Sequence, residues 1–340
     1  MILKVEKFLK NYVDRFGVIS SNIFPIPIEN PIFEKFEYSY DKGYLDGLNW
    51  FSKNLDIMRF PAKYFKEFKS IVFFFFSYFD STVSHNFSNL PKISIYAQYE
   101  DYHLTIRNFL KDLGRELRRV FGIKSVGFVD SSPFMERGFA FLCMEDGFLG
   151  KNGLFYLKGR GSYFFIGELL LDIESPRNWG AEKPFLRYCK NCNICVKSCP
   201  VGAIVEPGIV DSRKCISYHT IENRGVIPRE IAVNLNGYIF GCDICQQVCP
   251  LNRINGSIFK GFTRVKEIEK FDLDWFLGLS KNRYEKIFKK SALSRANYYQ
   301  ILRNIFILAE TDYIDGCFAK KIYDKFGHRK EIYEQLKELK

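Results

Sequence analysis

Eight of the ten cysteines in this chain lie within one short stretch, between Cys189 and Cys249. The stretch contains a C-x2-C-x2-C-x3-C-P run over residues 189–200, a single Cys215, and a C-x2-C-x3-C-P run over residues 242–250. A [4Fe–4S] cluster needs four thiolates that converge on one small cube, and short C-x2-C steps let successive sulfurs point at it. The eight thiols therefore predict two such clusters.

The spacing also predicts which cysteines share a cluster. Three closely spaced thiolates can cap one cube, and the cysteine before each proline is expected to bind the cluster of the opposite run. The first cysteine set is then Cys189, Cys192, Cys195 and Cys249, and the second cysteine set is Cys199, Cys215, Cys242 and Cys245.

Two other interpretations of the cysteines stay open at this point. Zinc sites also use C-x2-C pairs, although they seldom contain a C-x2-C-x2-C-x3-C-P run. A disulfide framework is typical of small secreted proteins, whereas this chain has 340 residues and shows no secretory signal. We expect the remaining two cysteines, Cys143 and Cys317, to be small buried apolar residues.

Composition predicts a fully folded protein, because 47% of the residues are hydrophobic and 17% are aromatic. The length allows two or three modules with substantial cores. The most apolar stretch, Ile71–Phe79, is about half as long as the ~20 residues of a membrane helix, so it predicts a strand buried on both faces. We expect no membrane association and a cytoplasmic location, where exposed clusters and free thiols survive.

The net charge of +11 is unevenly distributed. Residues 251–340 contain 19 Lys and Arg against 12 Asp and Glu, which gives this part +7 of the total. A basic terminal module is compatible with nucleic acid, with an anionic partner, or with solvated helix faces.

Hydrophobic periodicity predicts the main elements of the first half. It indicates an amphipathic helix over residues 3–16, a strand over 70–79, a helix over Tyr102–Phe121 ended by Gly122, and a strand over Ile123–Val129. The order strand, helix, strand predicts an α/β layer whose strands are at least partly parallel. Further on, Gly147–Asn152 is expected to be a loop, and the part from Lys266 onward is expected to be helical.

Asp130 directly follows the predicted strand over Ile123–Val129. In sheets with parallel strands, ligands collect beyond the carboxyl ends of the strands, which makes this carboxylate a candidate catalytic group. The sequence Asp-Ser-Ser-Pro is also typical of a turn or a helix cap, and this alternative remains open.

Seven local sequences together resemble the epoxyqueuosine reductase family, the cobalamin-dependent iron–sulfur enzymes that complete queuosine in tRNA. They are YEDYH (Tyr99–His103), VDSSPFMER (Val129–Arg137), GFLGKNGL (Gly147–Leu154), GSYFFIGELL (Gly161–Leu170), CKNCNICVKSCPVGAI (Cys189–Ile204), RKCISYHTIENRG (Arg213–Gly225) and FGCDICQQVCPLNR (Phe240–Arg253). The cysteine runs are common to many redox proteins, whereas the combination with the other sequences is much more specific.

The resemblance implies three modules. Residues 1–183 would form an α/β (α+β) cobalamin-binding catalytic domain, residues 184–255 a ferredoxin-like domain with two [4Fe–4S] clusters, and residues 256–340 a short, helical, HEAT-like tail that contacts tRNA. The implied reaction is reduction of epoxyqueuosine to queuosine at the anticodon wobble position of tRNA, with removal of the epoxide oxygen as water. The implied partners are a tRNA and an unidentified low-potential electron donor, and we expect a monomer.

The resemblance also assigns site residues. Asp130 would be the proton donor, and cobalamin would bind with its base detached. Cobalamin would contact Arg59, Asp130, Asn152, Phe155, Ile166, Ser217, Cys242 and Asp243. Because the substrate base must leave the anticodon stack, aromatic and cationic groups are expected near it. The candidates are Tyr218, His219, Arg224, Arg295 and Arg303, for each of which surface solvation or core packing remains an alternative.

The chain departs from the family at Met144-Glu145-Asp146, where a small apolar stretch is usual, and in its short tail. Two other functions remain open. A corrinoid reductive dehalogenase has the same parts but normally carries an export signal, and a two-cluster ferredoxin would not need 180 residues before its clusters. Retention of cobalamin distinguishes the electron carrier from the two enzymes, and tRNA binding distinguishes the dehalogenase.

Overall fold

The computed structural model describes residues 1–30, 32–48, 52–79, 91–130, 136–179, 186, 188–253, 258–269 and 271–340. Up to residue 171 the described chain contains eight strands and six α-helices. The strands are β1 (Ile19–Ser20), β2 (Phe24–Pro25), β3 (Ser70–Ser77), β4 (Lys92–Ile93), β5 (Ser125–Val129), β6 (Gly147–Leu149), β7 (Phe155–Leu157) and β8 (Phe164–Leu171). The helices are α1 (Ile2–Asp14), α2 (Phe33–Asp41), α3 (Leu55–Arg59), α4 (Pro61–Tyr64), α5 (Tyr102–Phe121) and α6 (Glu136–Cys143).

The central sheet has the strand order β1-β3-β8-β5, with β2 also paired to β3. Every strand pair described in this sheet is antiparallel. The expectation of partly parallel neighbours was therefore wrong. β3 and β5 do run in the same direction, but β8 lies between them and is antiparallel to both. The strand that separates them follows β5 by more than thirty residues, so local sequence order could not predict it.

Both faces of the sheet are covered, which explains the long apolar run in β3. Phe74 and Phe76 pack with α1 and α5 on one face, while Phe73 and Phe75 pack with α6 on the other. Helix α5 begins at Tyr102, after Asp101 accepts a hydrogen bond from the backbone N–H of His103 at 3.0 Å. It ends as predicted at Gly122, whose φ of 72° favours glycine.

The Gly147–Asn152 segment differs from its prediction. Gly147–Leu149 forms β6, which pairs with β7 to make a two-stranded sheet. The same hairpin places Lys151 and Asn152 in a tight turn where both side chains are buried. This turn reaches the cysteine-rich segment, because Asn152 donates a hydrogen bond to the backbone oxygen of Cys245 at 3.2 Å.

The second half is built from short elements followed by helices. The cysteine-rich part contains α7 (Ile194–Ser198), β9 (Ile204–Glu206), β10 (Ile209–Val210), α8 (Ile216–Ile221), α9 (Arg229–Ala232), β11 (Tyr238–Phe240) and α10 (Ile244–Gln247). The tail contains α11 (Lys266–Glu269), α12 (Leu273–Gly278), α13 (Lys281–Phe288), α14 (Tyr298–Glu310), α15 (Cys317–Phe326) and α16 (Lys330–Leu339). The helical prediction for the tail is confirmed.

One hydrophobic core joins these two parts. Buried Ile239 and Phe240 of β11 pack in the same cluster as Ile301 and Ile305 of α14. The predicted boundary at residue 255 therefore does not separate two cores. The tail instead supports the back of the cysteine-rich segment.

Cys143 is buried, as expected, but Cys317 is exposed as the first residue of α15, and the prediction for it was wrong. No α-helix in the described ranges is long and apolar enough to cross a membrane.

Candidate active site

A cavity of about 480 Å³ opens between the end of the central sheet and the cysteine-rich segment. We call it the central cavity. Its wall includes seven of the eight residues predicted to contact cobalamin: Asp130, Asn152, Phe155, Ile166, Ser217, Cys242 and Asp243. A second cavity of about 440 Å³ adjoins it and shares Asn152 and Ser217. Together they provide a wide space with both apolar and amide or hydroxyl side chains, which suits a large ring with polar substituents.

Arg59 is the exception among the predicted cobalamin contacts. Its guanidinium forms ion pairs with Glu29 at 2.9 Å and Glu37 at 3.4 Å on the protein surface. It does not line either cavity. The cavity walls therefore do not support the prediction for Arg59, whose charge is already paired with two carboxylates.

Asp130 lies at the carboxyl end of β5, on the wall of the central cavity. Its Oδ2 accepts a hydrogen bond from the hydroxyl of Tyr102 at 2.6 Å. His103 Nε2 lies 2.7 Å from Oδ1 and forms an ion pair with it. The side chain of Asp130 is 39% exposed, and this exposure is into the cavity.

The partners of Asp130 are themselves held in place. Tyr102 stacks on Phe165 with 3.7 Å between ring centroids, and the His103 ring stacks on Tyr102 at 4.1 Å. His103 Nδ1 contacts Asp101 Oδ1 at 2.7 Å, so the helix-capping aspartate also fixes the imidazole. The first turn of α5 thus positions the two groups that contact Asp130.

These contacts determine where protons reside. Burial opposes ionisation of Asp130, but the His103 cation and the Tyr102 hydroxyl outweigh it and lower the pKa of the carboxyl. For His103, burial favours the neutral ring, but Asp101 and Asp130 together raise its pKa to about 9. At neutral pH the pair is therefore an imidazolium beside a carboxylate.

Asp243 is a second buried carboxyl on the cavity wall, with 4% exposure. One oxygen accepts a short hydrogen bond from the Ser94 hydroxyl, and the other accepts the backbone N–H of Ile95 at 2.9 Å. Burial raises its pKa to about 6 despite these bonds. Asp243 thereby ties the segment between Cys242 and Cys245 to the turn that follows β4.

The thiols of the cysteine-rich segment interact both within and between the two predicted sets. Burial raises the pKa of the Cys189 thiol, and its thiol neighbours Cys249 and Cys192 raise it further. Burial likewise raises the pKa of the Cys245 thiol, and the thiols of Cys215, Cys199 and Cys195 raise it further. The four thiols of the second cysteine set all line the central cavity, whereas none of the first set does.

No three His, Cys, Asp or Glu side chains in the described part of the chain are close enough to hold a single metal ion. A [4Fe–4S] cube spreads its four cysteine sulfurs more widely than one zinc ion does, because each sulfur binds a different iron atom.

Two of the predicted RNA-contacting residues are corrected by the structure. Arg303 is 1% exposed, and its guanidinium donates hydrogen bonds to the backbone oxygens of His219, Asn223 and Gly225. His219 is 4% exposed, and both of its ring nitrogens are bonded within the protein. Each residue therefore holds the loop after α8 in place and has no free face for RNA.

The other three candidates remain accessible. Arg295 lines the central cavity with its side chain 44% exposed, and it forms an ion pair with Glu222 at 2.7 Å. The exposed Arg224 donates a hydrogen bond to the backbone oxygen of Arg295 at 2.7 Å. Tyr218 is half-buried on the wall of the second cavity. Of these side chains, Arg295 is close enough to Asp130 to lower the pKa of that carboxyl.

Comparison with known proteins identifies relatives of this chain. Residues 59–131 match the family model described as "Epoxyqueuosine reductase QueG, DUF1730", and residues 188–252 match a "4Fe-4S double cluster binding domain". The epoxyqueuosine reductase of Cyclobacterium marinum is 37% identical over 259 residues, which cover 76% of this chain and 80% of that protein. The chain belongs to the epoxyqueuosine reductase family.

Other members extend the match along the chain. The epoxyqueuosine reductase of Cellulophaga algicola is 31% identical over 311 residues, covering 89% of this chain and 97% of the relative. A solved epoxyqueuosine reductase in complex with an epoxyqueuosine-modified tRNA-Tyr stem loop has a TM-score of 0.79 at 24% identity, covering 92% of this chain and 82% of that one. A Bacillus subtilis epoxyqueuosine reductase, described as having its catalytic aspartate loop swung out of the active site, also gives 0.79, at 21% identity and with coverage of 98% and 88%. The mixed α/β fold with a double-cluster domain is thus the fold of the family.

Sequence reasoning missed His103 and Tyr102 as members of the site. Both were inside a family motif, but nothing in their spacing predicted contact with Asp130, which lies 27 residues after His103. The usable signal was the Asp-x-His pattern at a helix start, which places an imidazole beside a capping carboxylate. Lys151 was missed as well. Its buried ammonium donates a hydrogen bond to Asn193 Oδ1 at 2.7 Å and anchors the turn between Cys192 and Cys195.

Proposed function

We propose that this protein reduces epoxyqueuosine to queuosine in tRNA, using cobalamin and two [4Fe–4S] clusters. The observation that carries the proposal is that Asp130, paired with His103, and the thiols of the second cysteine set face one cavity. Membership of the family supports the substrate. The solved relative with a modified tRNA stem loop supports a tRNA-borne base as the group that enters the cavity.

The reaction consumes two electrons and two protons for each epoxide. The two carbon atoms of the epoxide lose their bonds to oxygen and become joined by a double bond, and the oxygen leaves as water. The protein must therefore deliver electrons and protons to the same small volume. The cavity meets this requirement because thiols of the second cysteine set and carboxyl groups both line it.

The proposed electron route runs from the first cysteine set to the second. The first set lies outside the cavity, beside the exposed residues Lys190 and Ile194, where a low-potential donor protein can approach. Cys195 is among the thiol neighbours of Cys245, which brings the two sets together. Cluster potentials span a range of roughly −700 to +450 mV, set by charge, hydrogen bonds and exposure, so the fold can supply a strong reductant.

Cobalamin, bound with its base detached, would supply a low-valent cobalt centre that is strongly nucleophilic. In the proposed arrangement, Asn152, Ser217 and Asp243 would bind polar groups of the cofactor, and Phe155 and Ile166 would contact its apolar surface. Among the described residues on the cavity wall there is no histidine.

In the proposed proton delivery, Asp130 and His103 act as one unit. The lowered pKa of Asp130 and the raised pKa of His103 keep a single shared proton on the imidazole at neutral pH. As negative charge develops on the epoxide oxygen, His103 Nε2 passes this proton across the 2.7 Å contact to Asp130, and the carboxyl gives it to the oxygen. Tyr102 keeps the carboxyl pointed at the cavity.

The accessible cations near the opening are proposed to hold RNA. Arg224 contacts Arg295, which lines the same cavity as Asp130. Arginine guanidinium groups bind phosphate and stack on bases, and Tyr218 offers a further stacking surface. The helical tail that carries Arg295 would be the main RNA-contacting part of the chain.

The first test concerns Asp130. The substitution Asp130→Asn preserves size but cannot deliver the proton, so single-turnover conversion of epoxide-containing tRNA by pre-reduced protein should fall by about 10²–10⁴-fold. Iron and cobalamin content should not change. Asp112→Asn, on the exposed face of α5, is the matched control and should retain the parental rate. Parental turnover in Asp130→Asn would show that another group is the acid.

A second test concerns the metals. Anaerobically reconstituted protein should contain about eight iron atoms, the content of two four-iron clusters. It should also retain one cobalamin through gel filtration. Four iron atoms, or zinc in place of iron, would contradict the cluster proposal, while loss of cobalamin alone would point to an electron carrier.

A further inference from the structure

The proposed reaction leaves one proton unassigned. Reduction of the epoxide to an alkene and water consumes two protons, and the His103–Asp130 pair stores one between its two members. A second donor must therefore reach the same cavity from other side chains or from water.

Four carboxyl groups line the central cavity: Asp130, Glu136, Glu222 and Asp243. Three of them are already committed to close partners. Asp130 is bonded by Tyr102 and paired with His103, Glu222 is paired with Arg295 at 2.7 Å, and Asp243 accepts from Ser94 and Ile95. For Glu136, the nearest cation is Arg137, whose Nε lies 3.7 Å from Oε1, longer than a hydrogen bond. Among the described residues, Glu136 is thus the cavity carboxyl without a close partner from another element.

Glu136 is the first residue of α6, and its side chain is 15% exposed. It follows Asp130 by six residues, and both carboxyls face the same cavity. A substrate group held in this cavity is therefore accessible to both carboxyls, directly or through a water molecule.

A further acid, Glu168, lies on the same side of the central sheet as Glu136. It is in the middle of β8, between Phe73 of β3 and Phe128 of β5, and is 1% exposed. Neither of its carboxyl oxygens has a hydrogen-bond partner among the described residues. An isolated carboxylate is very costly in such an apolar environment, so Glu168 must remain protonated.

The acids Asp130, Glu136 and Glu168 interact with one another, and Arg137 is the cation beside them on α6. Three neighbouring carboxyls cannot all ionise beside so little positive charge. Asp130 ionises because the positive charge of His103 compensates the negative charge of the carboxylate. The other two retain protons, and burial together with the Asp130 charge raises the pKa of Glu136 to about 7 even though Arg137 opposes this.

We propose that Glu136 is the second proton donor of the reaction. It gives its carboxyl proton to the oxygen released from the epoxide, Asp130 gives the other, and water leaves. The two electrons arrive from the clusters, so atoms and charge balance. Water protonates Glu136 again once the product has left the cavity. This inference rests on the proposed function, because the two-proton requirement comes from that reaction.

Charged and titratable groups face this region from several elements. Helix α5 contributes Tyr102 and His103, α6 contributes Arg137, β8 contributes Glu168, and the tail contributes Arg295. The cysteine-rich segment contributes Glu222, Asp243 and the thiols of the second cysteine set, and Tyr78 and Tyr96 complete the wall. Arg137 and the charge of Asp130 act directly on Glu136. The two titrations are nevertheless distinguishable, because the pKa of Glu136 is about 7 and that of His103 is about 9.

The decisive variant is Glu136→Gln. Single-turnover rates of the parental protein should decline above about pH 7, when Glu136 loses its proton, and decline again near pH 9 with His103. Glu136→Gln should lower the rate at pH 6 by at least about tenfold. It should also abolish the step near pH 7 while the step near pH 9 remains. A parental rate and an unchanged profile would overturn the proposal.

Two matched variants guard against indirect effects. Glu168→Gln removes a buried acid of the same cluster but leaves the donor, so the step near pH 7 should persist. Glu145→Gln removes an exposed carboxylate beyond α6 and should change nothing. Loss of the pH 7 step in Glu168→Gln, with its retention in Glu136→Gln, would assign the donor to Glu168 and refute Glu136.

A measurement without substrate separates this proposal from the proposed function. Infrared spectra of the cluster-loaded protein, titrated from pH 5 to pH 9, should show loss of a protonated-carboxyl C=O band with a midpoint near pH 7. This band should be absent in Glu136→Gln, whereas the band that Asp243 loses near pH 6 should remain. If the band is present but no epoxide is reduced, the proposed function fails while the titration of Glu136 stands. If epoxide is reduced without any such band, Glu136 is not the donor.

Discussion

The contact between His103 and Asp130 sets the charge state of the proposed acid. A carboxyl with a lowered pKa would hold no proton at neutral pH on its own, so it could not be an acid there. The imidazolium changes this, because the pair as a unit loses its proton only as pH rises through about 9. A histidine that could be taken for a structural partner of Asp101 is therefore part of the proton supply.

His103→Gln tests this directly. Without the imidazole, Asp130 loses its compensating cation, its pKa rises under the effect of burial, and the alkaline step of the single-turnover profile should move from about pH 9 to lower pH. The rate at pH 7.5 should fall about tenfold to hundredfold. The exposed His328→Gln variant is the control. An alkaline step that stays near pH 9 in His103→Gln would remove His103 from the proton path.

The same substitution has a consequence for stability. The pKa of His103 is raised in the folded protein, so its contribution is fully present below the unfolded value of about 6.5 and is lost as pH rises through about 9. The difference in unfolding free energy between the parental protein and His103→Gln should therefore be larger at pH 6 than at pH 10. Urea titrations at the two pH values measure it, and equal differences would show that the ion pair does not form in solution.

At the scale of elements, the loop after α8 depends on one buried cation. The Arg303 side chain comes from α14 and bonds three backbone oxygens between His219 and Gly225. Burial lowers its pKa to about 10, so it is still charged at neutral pH. This arrangement connects the helical tail to the segment that contains Cys215 and Ser217, both of which line the cavity.

Arg303→Met should therefore destabilise the protein rather than weaken RNA binding alone. Loss of a charged donor leaves buried carbonyl oxygens unbonded, which costs roughly 2–4 kcal/mol. Arg295→Met is the matched comparison, because its exposed ion pair with Glu222 contributes about 1 kcal/mol or less. In urea unfolding of the cluster-loaded proteins, Arg303→Met should have a much lower unfolding free energy than Arg295→Met. In RNA-binding measurements at low urea, Arg295→Met should instead have the lower affinity. Equal stability of the two would contradict a structural role for Arg303.

Local sequence predicted the elements whose cause is local. The cap, the periodicity and the terminal glycine of helix α5 all belong to one continuous stretch of sequence, so its bounds were predicted correctly. The pairing of β3 and β5 with β8 depends on a strand far away in sequence, and the predicted parallel pairing was wrong for that reason. Arg303 shows the same limit for a side chain, because an arginine on an amphipathic helix gives no sign that distant carbonyl oxygens surround it.

The site shows the same division between local and distant causes. Cysteine spacing predicted two sets of thiols because a cluster constrains neighbours in sequence, and in the structure the thiols of the second set line the central cavity. Glu136 and Glu168 lay inside family motifs, yet their interaction depends on how α6 packs on β8. Conversely, Arg59 and His219 matched expected residue types but are engaged elsewhere. The chemical type of the side chains in the site was thus predictable from the sequence, but whether a given side chain is free to bind a ligand was not.

At the scale of the whole molecule, the basic tail is placed beside the proposed catalytic groups. The C-terminal end of α13 contacts the start of α5: the backbone N–H of Asp101 donates to the oxygen of Lys290, and Glu100 pairs with Ser291. Around this end, Arg283, Lys286, Lys289 and Lys290 are exposed, and they form no ion pair with the described residues. Positive charge is therefore concentrated next to the residues that hold Asp130.

This placement predicts where the RNA backbone is held. Replacing Lys286, Lys289 and Lys290 by Gln should weaken binding of a tRNA anticodon stem loop, and it should reduce the steepness of the decrease with salt. Each phosphate contact that is lost should lower the log–log slope by about 0.7, the value for single strands. The clusters, the cobalamin content and the unfolding midpoint should be unchanged, because these side chains are solvated.

The matched control removes the same charge from a remote surface. Lys4, Lys7 and Lys10 are exposed on α1, which lines neither cavity. Their triple replacement by Gln lowers the net charge equally but should leave the salt slope within error of the parental value, since ions screen charges farther than about 10 Å from the RNA at 0.1 M salt. Fluorescence anisotropy with a labelled stem loop at several salt concentrations gives both slopes. Equal losses in the two triple variants would mean that total charge, rather than the position of α13 beside Asp101 and His103, attracts the RNA.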